Sequence, residues 1–346
     1  MSSSAHRRRT SRTAKLIGTA VAGTLAAGGA FAVAGSAMAT KAPRPAAAAK
    51  AGFAPFVDPS LPPAYDLADT AKKTGVKNFN LAFITSGGGC VPKWGGSGDL
   101  GSDAVAKQIP ELRKAGGDVR VSFGGANGTE LGAACSSAAQ LAAAYGKVID
   151  QYKITKVDFD IEGGALPNTA ANTRRDQAIA QLQKQHPGLD VSFTLPVMPE
   201  GLTQDGVTLL TGAKKDGVKI SAVNIMAMDY GSSYTGSMGG YATQAATATQ
   251  AQLKKALGLS DADAWKSVAV TPMIGVNDVQ NEVFKPADAA ALVKFAQSKH
   301  LAWLSMWSGN RDKPCPGGSS NSAQPTCSSI AQSPLDFTKA LGAYTG

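Results

Sequence analysis

Histidine is scarce in this chain: three in 346 residues, one of them within the first ten. The other two, His186 and His300, lie far in sequence from all four cysteines, and no cysteine has a CxxC partner. A zinc centre therefore has no ligand set, and no metal is expected. No G-x-G-x-x-G follows the first strand-like segment and no P-loop is present, so nucleotide binding lacks support. Aromatic residues are few, at 6%, and are not interleaved with basic ones, which argues against a nucleic-acid partner. Beyond the N-terminal segment, no apolar run is long enough to span a bilayer.

What is present begins with a leader. Arg7, Arg8, Arg9, Arg12 and Lys15 precede an Ala/Gly-rich apolar stretch, and Ala37-Met38-Ala39 fits a small-x-small cleavage site. Residues 1–39 read as a secretory signal peptide, 40–51 as a flexible Pro/Ala-rich segment, and 52–346 as one catalytic domain. The product is expected to be secreted and extracellular, exported by the general or the twin-arginine route, with no membrane association once the signal is removed. The leader holds five of the 34 basic residues and none of the 25 acidic ones, so the remainder is only weakly basic, about +4. Four cysteines, an even number in an exported chain, favour two disulfides. Three pairings are possible. Cys315 with Cys327 closes a short Pro/Gly/Ser loop, which leaves Cys90 with Cys135.

Short apolar runs recur at 53–57, 78–85, 118–124, 156–162, 190–196, 222–228, 267–274 and 301–307. Helical patterns lie between them, among them 104–115, 138–152, 172–185, 243–257 and 286–298. Eight strands alternating with helices predict an α/β fold, a (β/α)8 TIM barrel in a single domain with no large insertion domain; a doubly wound open sheet is the alternative. In a barrel, catalytic groups belong at the C-terminal ends of strands. Glu162 ends the fourth strand, Asp229 and Tyr230 the sixth, and Trp307 the eighth.

The fourth strand carries the strongest signal. Lys156-Val157-Asp158-Phe159-Asp160-Ile161-Glu162 alternates strictly, placing three carboxylates on one face and three apolar residues on the other. Stacked carboxylates raise one another's pKa, so at least one holds a proton near neutral pH, as a glycosidase general acid must.

At this point the chain resembles a glycoside hydrolase family 18 chitinase of the secreted bacterial type. The family's D-G-x-D-x-D-x-E motif on the fourth strand is matched over its last five positions, ending at Glu162. Its S-x-G-G motif is similar to Ser122-Phe123-Gly124-Gly125, its sixth-strand M-x-Y-D to Met226-Ala227-Met228-Asp229, and its eighth-strand Trp to Trp307. Two positions depart: Thr155 replaces the first Asp of the long motif, removing a supporting carboxylate, and Met228 replaces the Tyr that donates to the substrate's N-acetyl group, a task Tyr230 would take over.

The resemblance implies hydrolysis of β-1,4 bonds in chitin or N-acetylglucosamine oligomers, with retention and without a cofactor. Glu162 would be the general acid. Asp160 would hold the substrate's acetamido group as that group attacks the anomeric carbon. Asp158 would share a proton with Asp160, and Asp229 and Tyr230 would position the N-acetyl group. Trp307, Met228, Met226, Ser122, Gly124, Asn277 and Asp278 would line the substrate site. Trp94 reads either as loop packing or as an outer sugar platform, and Arg311 with Asp312 as a structural ion pair. A monomer with an open cleft and endo action is expected. The alternatives are an endo-β-N-acetylglucosaminidase acting on N-glycans and a non-catalytic chitin-binding lectin on the same barrel.

Overall fold

A computed structural model describes residues 52–346; the signal-peptide and tether readings fall outside the described residues. Eight parallel strands follow one another around a closed sheet: β1 (Phe56–Val57), β2 (Asn78–Ser86), β3 (Asp118–Gly124), β4 (Lys156–Asp160), β5 (Asp190–Met198), β6 (Ala222–Ala227), β7 (Val268–Pro272) and β8 (Trp303–Leu304). Closure is made by backbone bonds between the ends of the series, Ala54 N to Leu304 O at 2.9 Å and Phe56 N to Met306 O at 3.1 Å. The expected barrel is present and the open sheet is not.

The helices are α1 (Leu67–Thr74), α2 (Ile109–Lys114), α3 (Leu131–Ala134), α4 (Ala138–Tyr152), α5 (Thr169–Gln185), α6 (Gln204–Lys215), α7 (Met238–Leu257), α8 (Asp261–Trp265), α9 (Pro286–Lys299) and α10 (Asp336–Leu341). Their starts are set by caps. Ser137, Asn168, Thr203 and Ser237 each accept a hydrogen bond from the amide three residues on, satisfying a donor with no partner inside the helix. Asn168 and Ser237 lie upstream of any apolar periodicity, so α5 and α7 begin earlier than their patterns. The single helix expected over 104–115 is broken into a 3₁₀ turn, Ala106–Gln108, and α2, because Pro110 lacks the N–H a continuous helix would use.

Alternation in β4 works as its sequence dictates. Val157, Phe159 and Ile161 are fully buried between barrel and helices. Phe159 stacks on Phe123 at 5.5 Å, lies 5.8 Å from Phe193, and meets the edge of Tyr145 on α4 at 5.1 Å. Each such ring contributes about 2 kcal/mol by burial, and that anchorage forces the alternate residues, Asp158 and Asp160, into the barrel.

Both disulfides have the expected pairing: Cys90 with Cys135, Cα atoms 4.5 Å apart, and Cys315 with Cys327 at 5.0 Å. Trp94 is not a sugar platform. Residues Pro92–Trp94 fold back as a short strand antiparallel to β2 and carry the indole into the core, where Nε1 donates to Tyr152 Oη at 2.8 Å. Arg311 and Asp312 do not pair either. The Arg311 guanidinium donates to the carbonyls of Ile274 and Val276, and the Asp312 carboxylate accepts from the amide and hydroxyl of Thr338 at the start of α10.

Candidate active site

A cleft of about 390 Å³ opens at the C-terminal end of the barrel. It is lined by Asp160 and Glu162 from β4 and its extension, Thr194 from β5, Met226, Met228 and Asp229 from the end of β6, Thr271 and Met273 from β7, and Trp307 after β8. At the opposite end, a cavity beside Arg120 and Trp303 holds only about 20 Å³, too small for a sugar.

The β4 ladder ends at Asp160, two residues before the expected end, yet Ile161 N still bonds Thr194 O at 3.0 Å and Glu162 is extended (φ −140°, ψ 176°). The alternation therefore continues, and Glu162 reaches the cleft in line with Asp158 and Asp160. Beyond it, Gly163 turns the chain with φ 51°.

The three carboxylates differ in surroundings. Asp158 is fully buried and accepts from Ser122 Oγ (2.7 Å), Ser192 Oγ (2.5 Å) and Thr194 Oγ1 (2.8 Å). Burial raises its pKa above the ordinary carboxylate value, and the hydroxyls together with the Arg120 charge offset only part of that rise. Asp160 has no such donors, and its Oδ1 is buried without a partner. Burial, then the charges of Glu162 and Asp158, push its pKa well above the carboxylate range. Glu162 is half-buried at the cleft and also raised, by burial first and then by Asp229, against a hydrogen bond with Asp160. The arrangement keeps a proton on the Asp160–Glu162 pair and leaves a carboxylic acid facing the cleft.

Ser122 thus supports Asp158. Gly124 is required by geometry: its φ is 105°, and a Cβ there would stand 2.0 Å from the Asp160 carbonyl. Trp307 lies half-buried, one face stacked on Phe83 at 5.5 Å. Asp229, at φ 52°, accepts from Val279 N at 2.9 Å, and Asp278 is exposed at the cleft. The buried Arg311 lies behind these two; desolvation lowers its pKa to about 10 and their charges partly offset that.

Three expectations of position are corrected. Tyr230 does not face the cleft: the left-handed turn at Asp229 swings it behind, where its ring packs on Tyr234 and Tyr241 and its hydroxyl is buried without a partner. Asn277 is fully buried and donates to the carbonyls of Met273 and Gly275 rather than into the cleft. Thr155 is exposed at the start of β4, roughly 20 Å of strand from Glu162, so the Asp it replaces would not reach the other carboxylates.

Several lining residues are not among those the sequence singled out. Phe83 reaches the cleft because β2 bulges against β3 between Ala82 and Ile84. Thr194 and Thr271 line it as inward residues of their strands, a placement that alternation could have shown.

No family model matches the chain. It is 38% identical over 290 residues to a probable bifunctional chitinase/lysozyme of Escherichia coli, covering 79% of this chain and 32% of that protein. It is 37% identical over 281 residues to endochitinase 11 of Metarhizium anisopliae, covering 76% and 52%. The chain thus spans about a third to a half of the length of these curated relatives. Among solved structures, it is similar to active domain 2 of a thermostable chitinase from Pyrococcus furiosus, complexed as catalytic-site mutants with chito-oligosaccharides. The TM-score is 0.77, with 35% identity over 84% of this chain and 93% of that one. These sources are diverse and do not single out a bacterial secreted type.

Proposed function

We propose that this chain, which belongs to the chitinases of glycoside hydrolase family 18, hydrolyses β-1,4 bonds between N-acetylglucosamine units with net retention. The observation that carries this reading is the row of Asp158, Asp160 and Glu162 running from barrel interior to cleft, with the proton on its outer pair and Trp307 beside it.

Glu162, as the carboxylic acid, donates its proton to the glycosidic oxygen while the C1–O bond breaks. The 2-acetamido oxygen of the same sugar attacks C1, giving an oxazolinium ion and the free leaving alcohol. Asp160 lies one same-face step inward, where it holds the acetamido group and balances its developing charge. Water then adds to C1, Glu162 takes its proton, and the acetamido group is released. Asp229 and Asp278 contact the N-acetyl group or the flanking sugar, with Met226 and Met228 as apolar walls. The residue that takes over from the family's Tyr is not Tyr230; an acidic or backbone contact from the Asp229 turn is available in its place.

Glu162 also separates this reading from a lectin on the same barrel, which needs no acid there. Two disulfides support passage through an oxidising compartment, in keeping with the N-terminal leader. With no insertion domain among the described residues, we expect endo action, on oligosaccharides of N-acetylglucosamine rather than on N-glycans. Product analysis on oligomers of increasing length tests both points: internal cleavage of long oligomers supports the reading, and release of intact glycans from a glycoprotein with no action on chitin oligomers would replace it.

The pH dependence follows from the acid. A raised pKa keeps Glu162 protonated above the ordinary carboxylate range, and the acid is lost as pH rises through that value. The alkaline limb of kcat/KM is therefore expected above the ordinary glutamate value. A limb at the ordinary glutamate value, near 4.3, would contradict the protonated pair.

A further inference from the structure

We propose that Glu282 is a positioning residue for Asp229: its buried carboxylate clasps the turn at 229–231 and holds the Asp229 carboxylate at the cleft wall. The inference deepens the reading that Asp229 contacts the bound sugar, and it rests on that reading.

Two loops meet at this wall. One is the turn after β6, where Asp229 has φ 52° and Gly231 φ 116°. The other is a hairpin between β7 and α9, its strands Gly275–Val276 and Val283–Phe284 paired antiparallel. Each loop offers a carboxylate to the backbone of the other. Asp229 Oδ1 accepts from Val279 N at 2.9 Å, and Glu282 Oε1 accepts from Gly231 N at 2.7 Å. Asn281 Nδ2 adds longer bonds to the carbonyls of Ser232 and Tyr234, at 3.4 and 3.3 Å. The hairpin end is itself fixed: Asn277 N donates to Glu282 O at 2.9 Å, and Glu282 N to Val279 O at 2.8 Å. Its base is held by the Arg311 guanidinium on the carbonyls of Ile274 and Val276.

Left-handed backbone is disfavoured for a residue with a Cβ and persists only where the surroundings over-determine it. At Asp229 the surroundings are the hairpin. The hairpin's own bonds use only the Glu282 backbone, which leaves the side chain to the turn. Burial raises the Glu282 pKa; the amides of Gly231, Tyr230 and Asp229 pull it back, and the Asp229 charge pushes it up. The residue is 1% exposed, and its Oε2 is buried without a partner. Burying a carboxyl oxygen unpaired is costly, so the bond that Oε1 makes to the turn is what this side chain supplies, and a bond to a charged acceptor is among the stronger ones. Glu282 does not line the cleft, whereas Asp229 and Asp278, one on each of the clasped loops, do. It therefore acts on a bound sugar only through them.

The test compares Glu282→Met, which keeps the length of the side chain but has no oxygen acceptor, with Glu282→Gln, which keeps one. Glu282→Met is expected to lower kcat on N-acetylglucosamine oligomers by about 10-fold, with a smaller change in KM. Glu282→Gln is expected to stay within about twofold of the unmodified protein. In an Asp229→Ala background, adding Glu282→Met should cost less than about twofold, because the residue it positions is already gone. Equal losses in Glu282→Met and Glu282→Gln, or the full loss repeated in the Asp229→Ala background, would overturn the inference. Where Glu282→Met does not fold, hydrogen exchange at the Gly231 amide decides, read in the unmodified protein and in Glu282→Gln. Protection in both is expected; fast exchange at Gly231 in the unmodified protein contradicts the clasp. That amide is read without turnover, so a protein that protects Gly231 yet hydrolyses no N-acetylglucosamine oligomer would sink the functional reading alone.

Discussion

Replacing Glu162 with Gln should lower hydrolysis of N-acetylglucosamine oligomers by at least 10²–10⁴-fold while folding and oligomer binding persist. The amide has the size of the acid and keeps a hydrogen-bond donor toward the cleft, but it cannot release a proton to the leaving oxygen. Glu162 is half-buried and at the end of the β4 extension, not in the packed interior, so the change leaves no cavity. Turnover measured on a soluble oligomer, with binding measured separately by titration calorimetry, checks both halves. Unchanged turnover would remove Glu162 from the chemistry and with it the assignment of the cleft.

Asp160→Ala should be nearly as damaging, on the order of 10²–10³-fold in kcat, for a different reason. Asp160 is placed to fix the acetamido group and to stabilise the positive charge that develops on it, an interaction made in the transition state. The loss should therefore fall on kcat more than on KM. Removing it also takes away the hydrogen bond that holds the Glu162 pKa down, while burial and Asp229 still push it up. The alkaline limb should move to higher pH in this variant. A loss confined to KM, with the pH profile unmoved, would make Asp160 a binding residue only.

Much of this was legible in the chain because buried strands write their faces plainly. The alternation in 156–162 placed the carboxylates inside the barrel, since Phe159 and Ile161 have no other way to leave water. All eight strand segments lie within a few residues of their apolar runs, though β1 keeps only Phe56–Val57 of the run 53–57 and β8 only Trp303–Leu304 of 301–307. What alternation does not encode is backbone that leaves the regular path. The bulge in β2 delivers Phe83 to the cleft, the left-handed Asp229 turns Tyr230 away from it, and the fold-back at Pro92–Trp94 buries an indole that a Gly-rich loop had left ambiguous. Partner choice among polar residues was equally hidden: Arg311 and Asp312 are adjacent in sequence, yet each satisfies backbone groups on a different element. The hydroxyls that end on Asp158 belong to the same class, because Ser122 comes from β3 and Ser192 and Thr194 from β5, and they meet only once the strands pair.

The central claim, that the substrate's own acetamido group is the nucleophile behind the Glu162 acid, is tested most directly by the anomer formed first. A fresh oligomer of N-acetylglucosamine is mixed with enzyme, and proton nuclear magnetic resonance follows the new reducing end before it mutarotates. The account predicts that the β-anomer forms first, since two displacements at C1 restore the starting configuration. An α-anomer formed first would contradict it. A single displacement by water would then require a second carboxylate about 6.5–9.5 Å from the acid, and Asp229 would become the general base.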